Sequence, residues 1–557
     1  MHLSFPVLRT PTLTYSLLAV ALALQWTATP VDASSIDVLI RDAIVVDGTG
    51  AARQTGDVEI AGGRIVYVGL RRATRARQIV NAHGQVVAPG FIDVHNHSDL
   101  ALVSATGFLN EAFLSQGVTT VVLGPDGELS PAAIHELLRN MGPRGAGTNV
   151  AFYVGHNGIR TQVLGRDQNR APSAPELEQM ESLVREGMQL GAVGLSSGLM
   201  YSPGLFSDTD ELVALAKQVA PFGGVYETHV RDPHKALLQS DWEAIEIARQ
   251  AGVAVNLTHL TTPGKNNRGL MRAVIDLIEN ARRDGLEVVA DQYPYAAVAT
   301  RQLWGVLNYP DELALESREA IRAALRVPEK RARIREETLG GGTSGFSQYK
   351  ASGPSSILIL SCPDLPAYEG RFISEVAAQR RIDGFDAVAY LLENSRADIV
   401  VSMGGFYEED MRLLMKQPWA MIASDGFVPM QGAVHPGFFS AHPRAMGTFA
   451  RVLGKYVRDE GVLTLEEAVR KATAAPAQFL KLTLRGKIAP GYIADVVIFD
   501  PQQIADRSTW KQPHAPSTGI TAVLVNGQFA VRDGVPTGTA AGHFVRRAEA
   551  ALPLRRR

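Results

Sequence analysis

Two patterns of apolar and polar positions divide the chain. Near its start, Ile36-Asp37-Val38-Leu39-Ile40 and Ala43-Ile44-Val45-Val46 lead to an Asp47-Gly48 turn. Val58-Glu59-Ile60, an Ala61-Gly62-Gly63 turn and Ile65-Val66-Tyr67-Val68 follow. Apolar alternation punctuated by glycine turns predicts antiparallel strands. The same pattern returns at Ala494-Asp495-Val496-Val497-Ile498-Phe499, Ala522-Val523-Leu524-Val525 and Phe529-Ala530-Val531. The two ends are therefore expected to build one small β-sandwich, from 34–89 and 484–557. Between them, strand-length apolar runs alternate with helical spacing. The runs fall at 119–124, 149–155, 192–196, 224–229, 253–259, 287–291, 398–402 and 420–425, with helical stretches at 176–190, 241–251 and 269–284. Repeated β-α-β units predict an α/β fold, a (β/α)8 TIM-like barrel over 90–483. Residues 305–360 break the rhythm, charged and helical at first, then Gly340-Gly341-Gly342. They are expected to form an insertion over the barrel mouth.

The first segment departs from both patterns. Arg9 precedes the apolar run Leu17-Leu18-Ala19-Val20-Ala21-Leu22-Ala23-Leu24, and Val31-Asp32-Ala33 offers small residues for cleavage. This predicts a secretory signal peptide over 1–33, and hence an exported protein, periplasmic or secreted, free of the membrane once cut. An uncleaved anchor is the alternative, although the apolar run is short for a bilayer. The full chain of 557 residues is 46% hydrophobic and 20% charged, enough for a large globular core. A net charge of -2 offers no basic surface for nucleic acid. Cys362 is the only cysteine, so an intrachain disulfide is excluded and a metal site would draw on N and O ligands.

Candidate chemistry collects where apolar runs end. Val86-Val87-Ala88-Pro89-Gly90-Phe91-Ile92-Asp93-Val94 runs into His95-Asn96-His97. Residues i and i+2 of a strand share a face, so both imidazoles can address one ion. His229, His259 and Asp425 each close a later run. In a parallel barrel the working residues lie at the C-terminal ends of strands, where all five of these fall. His156, in Gly155-His156-Asn157-Gly158, also follows a strand and is readable either as a substrate contact or as a loop histidine.

These residues resemble the amidohydrolase superfamily, and more closely its N-acyl-D-amino-acid deacylase (D-aminoacylase) branch. The likeness rests on the H-x-H strand end, Gly117-Val118-Thr119-Thr120-Val121-Val122 and the run from Gly194 through Ser196-Ser197-Gly198-Leu199-Met200-Tyr201 to Gly204. Asp291-Gln292-Tyr293-Pro294-Tyr295, Ser424-Asp425-Gly426, His442-Pro443-Arg444-Ala445-Met446-Gly447-Thr448-Phe449 and Gly491-Tyr492-Ile493-Ala494-Asp495 extend it over most of the chain. The resemblance implies zinc, held mainly by His229, His259 and the residue matching a branch cysteine. It implies a second, weaker site at His95, His97 and Asp425. The chain departs at the cysteine, where Gly124-Pro125-Asp126-Gly127-Glu128 stands. Asp126 matches the position and Glu128 competes with it. A carboxylate can bind zinc or bridge two ions, but it is a harder ligand than thiolate. No lysine occurs in Ser196-Ser197-Gly198, which separates the chain from hydantoinase-like relatives that carry a carbamylated lysine near that strand end.

The implied reaction is metal-dependent hydrolysis of the amide bond of an N-acyl-D-amino acid, a small-molecule substrate. Asp425 would take a proton from water and pass it to the leaving nitrogen. Arg444 matches the branch position that holds the substrate carboxylate. Tyr201 and Tyr293 are pocket residues in this reading and packing aromatics otherwise. The branch lysine two residues after the second histidine is Thr261 here, with Lys265 nearby as either substitute or solvated loop residue. Other amides (N-acyl-L-amino acids, dipeptides, cyclic amides) and a non-catalytic binding role are the alternatives. Oligomeric state is left open.

Overall fold

The computed structural model describes residues 36–547 apart from 143, 298–299, 311, 314–315, 341–346, 404–406, 429–441 and 511. The predicted leader, 1–33, lies outside the described residues. The two chain ends pair into one mixed sheet of nine strands. Ile36–Val45 runs antiparallel to Gln54–Ala61 and parallel to Ala76–Asn81 and Val86–Pro89. Val86–Pro89 then pairs antiparallel with Val496–Phe499, and Ile520–Val525 and Gln528–Arg532 continue outward. The ends thus share a sheet, as their alternation predicts. Its hydrogen bonding is continuous through Val86–Pro89 rather than split between two sheets. Val38, Ile40, Val58, Ile60, Val496 and Leu524 are buried together in its own core.

The interior of the chain supplies the parallel strands. Val154–Gly155, Gly194–Gly198, Val225–His229, Ala254–Leu257, Val288–Gln292 and Ala420–Ile422 form an all-parallel sheet of six. Phe91–Asp93, Val118–Leu123 and Asn149–Phe152 form a second parallel sheet of three. Covered on both faces, these strands are buried at successive positions rather than at alternate ones. The helices between them pack by one stripe: Ala174–Leu190 buries Met180, Val184 and Met188 at spacing four, and Met271–Arg283 buries Val274, Ile275 and Ile278.

The expected barrel is therefore hydrogen-bonded as two sheets and not as one closed ladder. At one seam Tyr153 separates Asn149–Phe152 from Val154–Gly155, and its N–H donates to Leu123 O at 2.9 Å. At the other seam the strands stop short and the chain meets just beyond them. Asp425 N–H donates to His95 O at 2.9 Å and His97 N–H to Gly426 O at 3.0 Å. Asp93 reinforces this seam by accepting from Ser424 N–H and the Asn96 amide, each at 2.8 Å, and from the Ser424 hydroxyl.

Residues 398–402 also depart from the expected parallel series. Val400–Ser402 pairs antiparallel with Thr300–Gln302 and Leu358–Ser361, outside the parallel series. It belongs to a separate apolar cluster drawn from residues between Leu303 and Met403, so the unit extends well past the expected 305–360. A short buried run looks the same by periodicity whichever sheet it joins. This unit touches the loop after His259, since a Cβ on Gly264 would meet Ser356 Oγ at 2.3 Å. At the opposite end of the strands, Asn149 joins the terminal sheet through Asp495 Oδ2 at 3.1 Å and Asn526 Nδ2 at 2.7 Å, with Arg485 paired to Asp495.

Because Asp93, in full burial, accepts two hydrogen bonds from Ser424 across the seam and a third from Asn96 on its own side, removing it strands their donors. Asp93→Ala is expected to lower unfolding stability by about 2–4 kcal/mol, read from the urea midpoint at fixed slope. An unchanged midpoint would show that the seam closes without it.

Candidate metal centre

The side chains that close the parallel strands converge. His229 ends Val225–His229 and His259 follows Ala254–Leu257. His95 and His97 follow Phe91–Asp93, and Asp425 follows Ala420–Ile422. Three positions turn sharply to do so: His259, Asp425 and Asp126 all have left-handed backbone, at φ 35°, 49° and 56°. Such backbone costs on the order of 1–3 kcal/mol per residue and collects at functional sites. Asp291 fixes His259 by accepting its N–H at 2.8 Å, while also taking the Asn256 amide at 2.6 Å.

The Gly124-Pro125-Asp126-Gly127 turn is seated by the strand that carries no lysine. Ser196 Oγ donates to Gly124 O at 2.6 Å and accepts from Gly127 N–H at 3.1 Å. Gly198 lets the turn lie flush, because a Cβ there would meet Asp126 O at 2.4 Å. The Asp126 carboxylate then lies among all four imidazoles. Its Oδ1 is 3.8 Å from His95 Nε2 and 3.7 Å from His259 Nε2, and its Oδ2 is 3.9 Å from His97 Nε2 and 3.8 Å from His229 Nδ1. Glu128 reaches only the far nitrogen of His97, Nδ1, at 3.6 Å, and its side chain is 54% exposed. Asp425 Oδ1 completes the cluster at 3.6 Å from His95 Nε2 and 3.4 Å from His97 Nε2.

This packing suits a cation. His229 Nδ1 and His259 Nε2 stand 2.8 Å apart, and His95 Nε2 and His97 Nε2 3.3 Å apart. Asp126 Oδ1 is buried with no hydrogen-bond partner among the described residues. Ligand atoms of His95, His97 and Asp425, and those of His95, Asp126 and His259, come within 4.8 Å of one another. Imidazole nitrogen with carboxylate oxygen is a donor set that binds zinc. Burial pushes His95 and His229 down to about 3, so both rings are neutral and carry a free lone pair. Burial opposes charge on His97 and His259 as well, but Asp425 and Glu128 raise the first and Asp126 and Asp425 the second. Burial would likewise raise both acids. Arg444, His97 and His95 outweigh it at Asp425, and His95, His259 and His229 outweigh it at Asp126, so both stay ionised.

Other expected residues are placed unequally. Arg444 is buried and donates to Asp425 Oδ2 at 2.5 Å, with its guanidinium 4.7 Å over the Tyr293 ring and its Nε without a hydrogen-bond partner among the described residues. Tyr201 OH lies 3.2 Å from His229 Nδ1. His156 is not brought to the cluster: its Nε2 is 2.7 Å from buried Glu211, which also holds Arg160. It opens the helix His156–Leu164, with its ring turned to Glu211. The Lys265 side chain lies outside the described residues. Glu227, fully buried 3.0 Å from His95 Nδ1, escaped the sequence reading. Its signal was an acid two residues before a strand-end histidine, on the same inward face.

Residues 368–531 match the family model described as Amidohydrolase family. An N-acyl-D-glutamate deacylase of Alcaligenes xylosoxydans xylosoxydans is 32% identical over 533 residues, covering 92% of this chain and 97% of that one. A crystal structure of N-acyl-D-glutamate deacylase from Bordetella bronchiseptica, with zinc and a phosphonate mimic of the tetrahedral intermediate, is 31% identical. It superimposes with a TM-score of 0.70 over 92% of this chain and 100% of that one. A D-aminoacylase structure concerned with a binuclear metal centre, one metal activating and the second attenuating, is 30% identical with a TM-score of 0.71 over the same shares.

With Asp126 as a metal ligand, Asp126→Ala should leave less than half the metal of the parent after gel filtration, measured by plasma mass spectrometry. Glu128→Ala should leave the metal content within about twofold of the parent. The reverse ranking would move the ligand to Glu128.

Proposed function

Because this chain belongs to the amidohydrolase family, within its N-acyl-D-amino-acid deacylase branch, we propose that it hydrolyses the amide bond of N-acyl-D-amino acids. The products are a carboxylate and a free D-amino acid. The observation that carries this reading is the convergence of four imidazoles and two carboxylates, with contacts of 3.4–3.9 Å between the two kinds, at one end of the parallel strands. His229, His259 and Asp126 hold one zinc ion in this reading, and His95, His97 and Asp425 a second, weaker one. Bound zinc supplies a Lewis acid for the amide carbonyl and lowers the pKa of water.

The chain's own residues do the rest. Asp425 stays ionised and faces the cluster with Oδ1, so it can take a proton from water there and return it to the leaving nitrogen. Its other oxygen is held by Arg444 Nη1, which fixes the carboxylate's orientation. The remaining donors of Arg444 include a buried Nε with no partner among the described residues, and they take the substrate carboxylate in a charge-assisted contact. Tyr201, beside His229, and Tyr293, under the guanidinium, line the space between these groups.

In fold, we read the two parallel sheets as one ring of eight strands, with Asn149–Phe152 and Val154–Gly155 as a single interrupted strand. The Tyr153 and His95–Gly426 backbone bonds support this reading. The terminal sheet then draws its strands from 36–89 and 496–536, and the ring lies within 90–483 with an inserted unit over about 303–403. Residues 1–33 are proposed as an export signal on composition alone, which places the mature chain in the periplasm or outside the cell.

N-acetyl-D-amino acids should be hydrolysed by the zinc-loaded protein and their L-enantiomers far more slowly, as followed by amine release. Asp425→Asn should lower kcat about 10²–10⁴-fold while the His229/His259 ion stays bound. Equal turnover of both enantiomers removes the substrate assignment. Parental kcat in Asp425→Asn removes the proton shuttle.

A further inference from the structure

Glu227 sits on the strand Val225–His229, two residues before His229, so its side chain points to the same interior face one layer deeper. Both its side chain and that of His95 are 0% exposed, and Oε1 lies 3.0 Å from His95 Nδ1. The contact is close but off the line of a hydrogen bond, and neither carboxylate oxygen nor His95 Nδ1 has a hydrogen-bond partner among the described residues. No arginine or lysine forms an ion pair with Glu227 among those residues. A buried carboxyl without a cation costs several kcal/mol, and an apolar residue of similar size would be cheaper there. Its position is therefore not explained by packing.

An imidazole that binds an ion through one nitrogen presents the other as N–H. A carboxylate on that N–H fixes the tautomer, orients the ring and makes the ligand more basic. His95 Nε2 faces Asp126 and Asp425 at 3.8 and 3.6 Å, while Nδ1 faces Glu227. Glu227 itself does not join the groups whose ligand atoms cluster within 4.8 Å. We infer that Glu227 is a positioning residue, which holds His95 by its Nδ1–H so that Nε2 is delivered to the His95/His97/Asp425 cation. The inference rests on the metal-dependent reading above and adds to it a residue that controls one of the two ions selectively.

The test uses the full chain stripped by a chelator and titrated with Zn2+, and separately with Co2+ as a visible-absorption probe. Glu227→Leu removes the acceptor but keeps an apolar residue of similar size. It should weaken the weaker ion about 10–100-fold and shift its Co2+ bands, with the His229/His259 ion unchanged. Glu227→Gln, which keeps a neutral acceptor, should recover part of that loss. The metal-free Tm of Glu227→Leu should equal or exceed the parent's, since a buried unpaired acid has been removed. If Glu227→Leu does not fold, the Gln variant alone must still show the selective loss. Parental affinity at both ions overturns the assignment, as does an equal loss at both with a lowered metal-free Tm. A parent protein that binds no Zn2+ overturns the metal reading instead, so the two failures are distinguishable.

Discussion

The structure depends on keeping six polar side chains closer together than they would choose to be. His229 Nδ1 and His259 Nε2 at 2.8 Å, largely buried, and the paired Nε2 atoms of His95 and His97 at 3.3 Å, buried, bring nitrogen lone pairs or protons face to face. Nothing in these contacts favours folding on its own, because buried imidazole and carboxylate lose water. The scaffold must over-determine the site, and it does so from below. Strand ladders fix Cα positions, Asp291 fixes the His259 backbone, Ser196 seats the Asp126 turn, and Asp93 ties Ser424 to the H-x-H strand. The left-handed backbone at His259, Asp425 and Asp126 is tolerated because those restraints lie next to it.

Stability comes from elsewhere in the molecule. The terminal sheet has its own apolar core, as does the unit between Leu303 and Met403. The large central cluster fills the space between parallel strands and helices. The Asn149–Asp495–Asn526 joint ties the terminal sheet to the ends of the strands opposite the cluster. Parallel sheets with both faces covered leave only the strand ends open to solutes, so a strained polar site is confined to one rim. Strain on that rim does not have to be absorbed by the sheet interior.

This division explains what the sequence made legible. Strand-end histidines were readable because an apolar run that stops at a polar residue marks both a strand and its rim. His95, His97, His229, His259 and Asp425 all followed that rule and lie close together in space. Asp126 was legible only through the resemblance, since an Asp-Gly turn carries no chemical signal of its own. Val400–Ser402 misled, because an apolar triplet does not encode which sheet it will join. In the sequence His156 stays open between two readings, for the opposite reason. It follows a strand too, but Glu211, more than fifty residues away, captures its ring. Glu227 was hidden inside an apolar run that invited no search for acids. Long-range pairing of this kind is fixed by topology, which single-sequence periodicity does not carry.

The substitution of a carboxylate for the branch thiolate gains a physical account from the geometry. A thiolate offers one large soft atom, whereas Asp126 offers two hard ones. Those oxygens face different histidines: Oδ1 the pair His95 and His259, Oδ2 the pair His97 and His229. A single sulfur could not divide its contacts this way without moving the turn. The turn is held on both sides, by Ser196 on its backbone and by the missing Cβ of Gly198 beneath it, so the carboxylate is delivered rigidly between the two histidine pairs. In the proposed two-ion reading, harder donors on both sides would bring the two ions' environments closer to each other than one thiolate site and one oxygen site would be. The asymmetry that remains lies in the acids behind the imidazoles, where His95 has Glu227 at 3.0 Å while His259 is tied by its backbone to Asp291.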